Sequence, residues 1–199
     1  MAEMLAARQR GEGRDLVGLT FDDGYADFVE QALPVLASYG FSATVFVLAG
    51  RLGGENSWDS AGPRKPLMTV QQVRQVADAG MEVGSHGLHH VSLEGCNGAT
   101  LAAEVKDSRA ALQAAIGQPV AGFCYPYGHI DGQAVAAARA ADYGYACAIW
   151  RSPHTGRHAL PRIYVGDADT PGRLWAKGLR HRLTWDYRGP RARAVTEAW

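Results

Sequence analysis

Short apolar runs of β type alternate with amphipathic stretches along almost the whole chain. The β-type runs fall at 15–22 (DLVGLTFD), 43–49 (ATVFVLA), 81–85 (MEVGS), 121–125 (AGFCY), 145–150 (YACAIW) and 160–165 (LPRIYV). Between them, helical spacing of apolar positions predicts helices over 28–39, 69–79, 99–116, 132–143 and 171–185. Gly40, Gly80, Gly117 and Gly144 follow four of these helices, where a left-handed residue is expected. Thr69 and Gln72 have the spacing of a capping box at the head of the second. Strand–helix alternation with short links implies parallel β/α architecture; the pattern alone leaves open sheet and barrel as alternatives. In either, functional groups collect at the carboxyl ends of the strands. The connection 50–68 is the one large irregular insertion, of the kind that forms lids and binding loops. The expected organisation is an N-terminal extension over 1–14, one domain over 15–170, and a basic helix and tail over 171–199.

Polar motifs stand where three of the predicted strands end. The first strand runs into Asp22-Asp23-Gly24, which on its own reads as a tight turn. The third runs into "GSHGLHH", which holds His86 and His90 four residues apart with Gly87 between them. One carboxyl and two imidazoles drawn from two strand ends make a donor set suited to a divalent metal with open positions. The second carboxyl is then free to act as a base on metal-activated water. The fourth strand runs into "FCYPYGHI", where Pro126 and Gly128 form a rigid turn between Tyr125 and Tyr127. Aromatic faces there suit sugar rings, and a backbone N–H of such a turn can receive a developing oxyanion.

Composition and charge narrow the picture by exclusion. With 47% hydrophobic and 20% charged residues over 199 positions, the chain is globular and long enough for one full core. Lys+Arg and Asp+Glu balance at 20 each, so no overall field argues for a nucleic-acid partner. Three cysteines, an odd and small number, do not make a disulfide framework. The first residues lack the apolar run of a signal peptide and no segment is long enough to span a bilayer, so the expected location is cytoplasmic.

Taken together, "LTFDDG", "GSHGLHH" and "FCYPYG" resemble the polysaccharide deacetylase family, the metal-dependent de-N-acetylases with a nodulation-deacetylase homology domain. The resemblance runs from about residue 15 to residue 166 and includes the stretch Asn56-Ser57-Trp58-Asp59 and "LPRI". It implies a distorted, incomplete β/α barrel, hydrolysis of an N-acetyl group on an amino sugar or N-acetylated glycan, and a divalent metal. Zinc is the default, with nickel, cobalt or manganese as alternatives. Motif by motif, Asp22 matches the catalytic base, Asp23 the metal-binding aspartate, and His86 and His90 the metal-binding histidines. Tyr127 matches the residue whose backbone N–H helps hold the oxyanion. Trp150 resembles an aromatic wall of the acetyl pocket, and Tyr125, Pro126 and Trp58 are further candidates for substrate contact.

Two departures from the family pattern shape the expectations. Many members carry, in the third motif, an arginine that pairs with the base; Cys124 stands at that position here, and Arg162 of "LPRI" is expected to supply the charge instead. Many also carry a late histidine as general acid; "LPRIYV" has none, which leaves His129, His154 and His158, with His154 the chosen candidate. Phosphotransfer is a rival for an acidic pair after a first strand, but it needs a further aspartate where this chain has histidines. A non-catalytic glycan-binding relative and a deformylase or deacetylase of a small or lipid-linked amino sugar are the other readings weighed. In 171–199 seven basic residues face two acidic ones, and Trp175, Leu179 and Leu183 share a helical face. That helix is expected to close the bottom of the barrel, with peripheral membrane contact as the alternative.

Overall fold

A computed structural model describes residues 1–12, 16–149, 154 and 156–184. Six strands, β1 (Thr20–Phe21), β2 (Thr44–Val47), β3 (Glu82–Ser85), β4 (Gly122–Cys124), β5 (Tyr145–Ala148) and β6 (Leu160–Pro161), form one sheet in strict chain order. Every pairing is parallel. A doubly wound sheet reverses its strand order at a switch point; this one never does, so it curls into a β/α half-barrel. Among the described residues the ladder runs from β1 to β6 and does not join its two ends. The incomplete barrel expected from the motifs is therefore the observed fold.

Around the sheet lie α1 (Ala2–Gln9), α2 (28–38), α3 (Val70–Asp78), α4 (98–116), α5 (Gly132–Ala140) and α6 (Pro171–Thr184). The first turns of α2 (Phe28–Ala32) and a central stretch of α4 (Ala102–Asp107) carry the wider π-type bonding. Thr69 and Gln72 close both bonds of the capping box that starts α3. Gly40, Gly80 and Gly117 are left-handed as expected, but Gly144 is not. Asp142 (φ 59) takes that role after α5, two residues earlier, because short polar side chains tolerate this conformation.

Side chains alternate along each strand, so the sheet has two cores. Val45, Val47, Val83, Phe123, Tyr125, Ala146 and Ala148 pack outward with the helices. Phe46, Cys124, Tyr145, Cys147 and Leu160 fill the barrel, together with Leu5 and the partly buried Met1 and Met4 of the N-terminal segment. This segment, expected only as an extension, thus plugs the barrel floor. Glu82 fastens it: Met1 and Ala2 nitrogens each donate to its Oε2 at 2.8 Å, and the Tyr145 hydroxyl donates to its Oε1 at 2.6 Å. The expectation that 171–185 closes the bottom is overturned, since α1 holds that place and Trp175 and Leu183 on α6 are 71% and 76% exposed. No helix among the described residues is long and apolar enough to cross a membrane.

Candidate active site

At the end of β1 the chain turns sharply, with Asp23 (φ 71) and Gly24 (φ 73) both left-handed. Glycine is required at the second position, because a Cβ there would lie 2.8 Å from Cγ1 of Val47. The expected tight turn is present, with its two left-handed residues. Its consequence is that the two adjacent carboxyls face different partners.

Asp22 points into the barrel and meets Arg162. The guanidinium donates from both Nη atoms to the two carboxyl oxygens, each at 2.6 Å. Its remaining donors go to Thr20 Oγ1 (3.0 Å), Cys124 Sγ (2.9 Å) and the Ala148 carbonyl (3.4 Å). The same group lies over the Phe46 ring. Burial by itself would raise the Asp22 carboxyl, but the hydrogen bond and charge of Arg162 outweigh it and hold the group below the ordinary carboxylate range. Burial pushes the Cys124 thiol well up, so it stays a neutral thiol beside the arginine. Arg162, just beyond β6, therefore makes the contact with Asp22 that was expected of it once Cys124 took the usual arginine position.

Asp23 points the other way, towards two imidazoles. Its Oδ1 is 3.3 Å from His86 Nε2 and 3.2 Å from His90 Nε2, and both histidines are buried. The His86 Nδ1 lies 2.7 Å from the Cys124 carbonyl oxygen, which can only accept, so Nδ1 carries the proton and Nε2 faces the carboxyl. His90 Nδ1 is buried with no hydrogen-bond partner. Burial alone would raise Asp23 and lower His86, yet their mutual contacts drive Asp23 well below the usual range and His86 above its own. A carboxyl oxygen facing two imidazole nitrogens in a buried corner calls for positive charge between them. One ligand atom from each of these three residues lies within 4.8 Å of the others, which fits a divalent ion. Asp22, His86 and Cys124 meet the same distance limit, but Arg162 already occupies Asp22 and the thiol is neutral.

Aromatic rings rim this corner. Trp58 stacks on His90 at 4.7 Å between centroids, and Tyr127 meets the same ring edge-on at 4.4 Å. Trp58 rides on the 50–68 loop, which folds back on itself through buried Asn56. That side chain donates to the Pro63 carbonyl (3.1 Å) and accepts from the Lys65 N–H (2.8 Å). Tyr127 sits at the exposed tip of the third motif with φ 60.

Several expectations are corrected. Tyr125 faces the helices, is fully buried, and donates its hydroxyl to the His158 carbonyl at 2.9 Å, so it offers no surface to a sugar. Pro126 is likewise buried beneath the turn. His154 stands at the head of α5, beside Gly132 and Asp131, not in the corner. His158 Nε2 donates to the Tyr143 carbonyl at 2.7 Å. The His129 ring stacks at 5.9 Å on Tyr127, which itself meets His90. Trp150 lies outside the described residues. Two cavities, of about 500 and 420 Å³, lie against α6 and beneath α1 and contain none of the candidate residues.

Two groups not singled out from the sequence also support the corner. Thr20 receives Arg162. Glu104, on α4, accepts from the backbone N–H groups of Leu88 (2.7 Å) and His89 (3.1 Å). Its signal was present: Leu101, Val105 and Leu112 mark the buried stripe of α4, and a carboxyl falls on it.

A curled parallel sheet in chain order, carrying carboxyl and imidazole donors at its carboxyl end, defines a β/α-barrel domain with a group of side chains that could hold a metal ion. Residues 9–146 match the family model for polysaccharide deacetylase, and the chain belongs to that family. YxkH of Bacillus subtilis (strain 168) is 27% identical over 169 residues, 82% of this chain and 56% of its own length. The poly-beta-1,6-N-acetyl-D-glucosamine N-deacetylase of Staphylococcus aureus (strain N315) is 23% identical over 180 residues, 84% and 60% respectively. The structure of Streptococcus pyogenes deacetylase PplD in complex with acetate superposes with a TM-score of 0.75 at 26% identity, covering 89% of this chain and 77% of that one. The chain thus spans less than two thirds of the curated relatives named here. Arg162 lies beyond the stretch matched by the family model.

Proposed function

We propose that this chain hydrolyses the N-acetyl group of an amino sugar within an N-acetylated glycan, using a divalent ion held by Asp23, His86 and His90. The observation that carries the reading is the split corner: one carboxyl is paired with two buried imidazoles, its neighbour with a forked guanidinium. The relative named for poly-beta-1,6-N-acetyl-D-glucosamine supports a polymer of N-acetylglucosamine as the substrate class. Zinc is the first choice for this donor set, and nickel, cobalt or manganese suits it too.

When bound, the ion supplies Lewis-acid polarisation of the acetamide carbonyl and acidifies a water molecule. Asp22 takes the proton of the attacking water. Arg162 keeps that carboxylate ionised and fixed in direction, which makes it a weak base but a willing acid on the return step. The proton taken from water passes on to the leaving nitrogen, so water and amide become acetate and a free amine with no further donor required. The Tyr127 N–H is assigned to the developing oxyanion; the left-handed turn at that residue supports it. Trp58 and Tyr127 offer the ring faces for a sugar.

Incubation with N-acetylglucosamine oligomers tests the reading. Acetate and free amine should appear in equal amounts, cease with a chelator and return with added Zn²⁺. Product formation that ignores the chelator, or none with Zn²⁺ supplied, contradicts it.

A further inference from the structure

The loop that carries both histidines does not hold its own shape. Between His86 and His90 it passes through Gly87 (φ 91) and ends with His90 itself left-handed (φ 63). A non-glycine residue is disfavoured in that region, so the surroundings must impose it. On one side, Ala49 and Gly50 donate to the Gly87 and Leu88 carbonyls at 2.9 and 3.1 Å. On the other side the contact is made by side chains of α4.

Glu104 Oε2 takes the N–H groups of both Leu88 and His89, the two residues between Gly87 and His90. One turn further, Ser108 accepts from the Ser85 hydroxyl (2.9 Å), which in turn accepts from the Gly87 N–H (3.2 Å). Glu104 is 3% exposed and Ser108 is completely buried. The loop is pressed hard against this pair: a Cβ at Gly87 would come within 2.7 Å of Glu104 Oε2. Glycine at 87 and glutamate at 104 therefore explain each other. Glu104 lies within the π-type stretch of α4 and Ser108 directly follows it, an irregularity often kept at functional sites.

We propose that Glu104 is the positioning residue of the metal-ligand loop, and that its carboxyl sets the spacing of His86 and His90 by holding the amides between them. The inference rests on the metal reading given above. Residues that orient ligands from behind typically govern metal affinity by about ten- to hundredfold.

The test uses the full chain, stripped of metal, as wild type, Glu104→Ala and Glu104→Gln. Zn²⁺ affinity is measured against a chromophoric chelator, and amide exchange at Leu88 and His89 is followed before metal is added. Glu104→Ala should bind Zn²⁺ about tenfold or more weakly, with faster exchange confined to those amides. Glu104→Gln keeps an acceptor oxygen at the same reach and should stay near the wild type. A folded Glu104→Ala with wild-type affinity and wild-type exchange overturns the proposal. Should that variant not fold, Glu104→Asp withdraws the oxygen by one methylene and faces the same two outcomes. A wild type that binds no Zn²⁺ contradicts the metal reading, and the exchange comparison then decides the role of Glu104 by itself.

Discussion

Asp22 and Asp23 are neighbours in sequence with opposite company in space. The left-handed turn at Asp23 sends one carboxyl to an arginine and the other to two histidines. These three partners were legible because each is a polar residue at a strand end or in the loop that follows one. Tyr125 was not, because "GFCY" is apolar throughout and a strand buried on both faces gives no sign of which side each residue takes. Arg162→Ala should leave Zn²⁺ binding intact and lower kcat about a hundredfold, the scale of a mispositioned general base. Arg162→Lys keeps the charge but not the fork, and should recover only part of the loss. Steady-state rates on an N-acetylglucosamine oligomer check both; wild-type turnover by Arg162→Ala would remove the arginine from the account.

At the scale of elements, every predicted strand and helix is present, but the two edge strands are much shorter than their apolar runs. Of the described residues 16–22, β1 keeps only Thr20 and Phe21, which pair with β2 on one side alone. The element that escaped notice is α1, whose alanines and methionines give a weak periodic signal, although Leu5 and Ala7 are buried. Its junction with the sheet makes a pH prediction. Burial would raise the Glu82 carboxyl, but the charge and hydrogen bonds of the Met1 amino group and the Tyr145 hydroxyl hold it below its ordinary value of 4.5. A depressed carboxyl contributes stability above its unfolded pKa and loses it as pH falls through the folded value. Glu82→Gln should therefore be less stable than wild type at about pH 7, with the gap closing towards about pH 3. Urea midpoints across that range check it, and a constant gap would show that Glu82 acts by packing alone.

Across the whole molecule, the barrel is open in its backbone and closed at its mouth by side chains. β1 and β6 share no ladder, yet Arg162 beyond β6 reaches Thr20 and Asp22 at the end of β1. The Asp22–Arg162 pairing and closure of the barrel mouth thus use one contact, which is how a chain with Cys124 in the third motif keeps the corner's charge balanced. The architecture was legible because strand–helix alternation leaves few parallel folds. The floor was misassigned because α6 is amphipathic, and amphipathicity alone does not say what covers a face. The central claim is the division of labour between the two carboxyls, and paired variants test it most directly. Zn²⁺ content and oligomer deacetylation are measured together for Asp22→Asn and Asp23→Asn. Asp22→Asn should keep one Zn²⁺ and lose turnover, while Asp23→Asn should lose both; an Asp22→Asn protein that still deacetylates, or an Asp23→Asn protein that still holds Zn²⁺ as tightly as wild type, would contradict it.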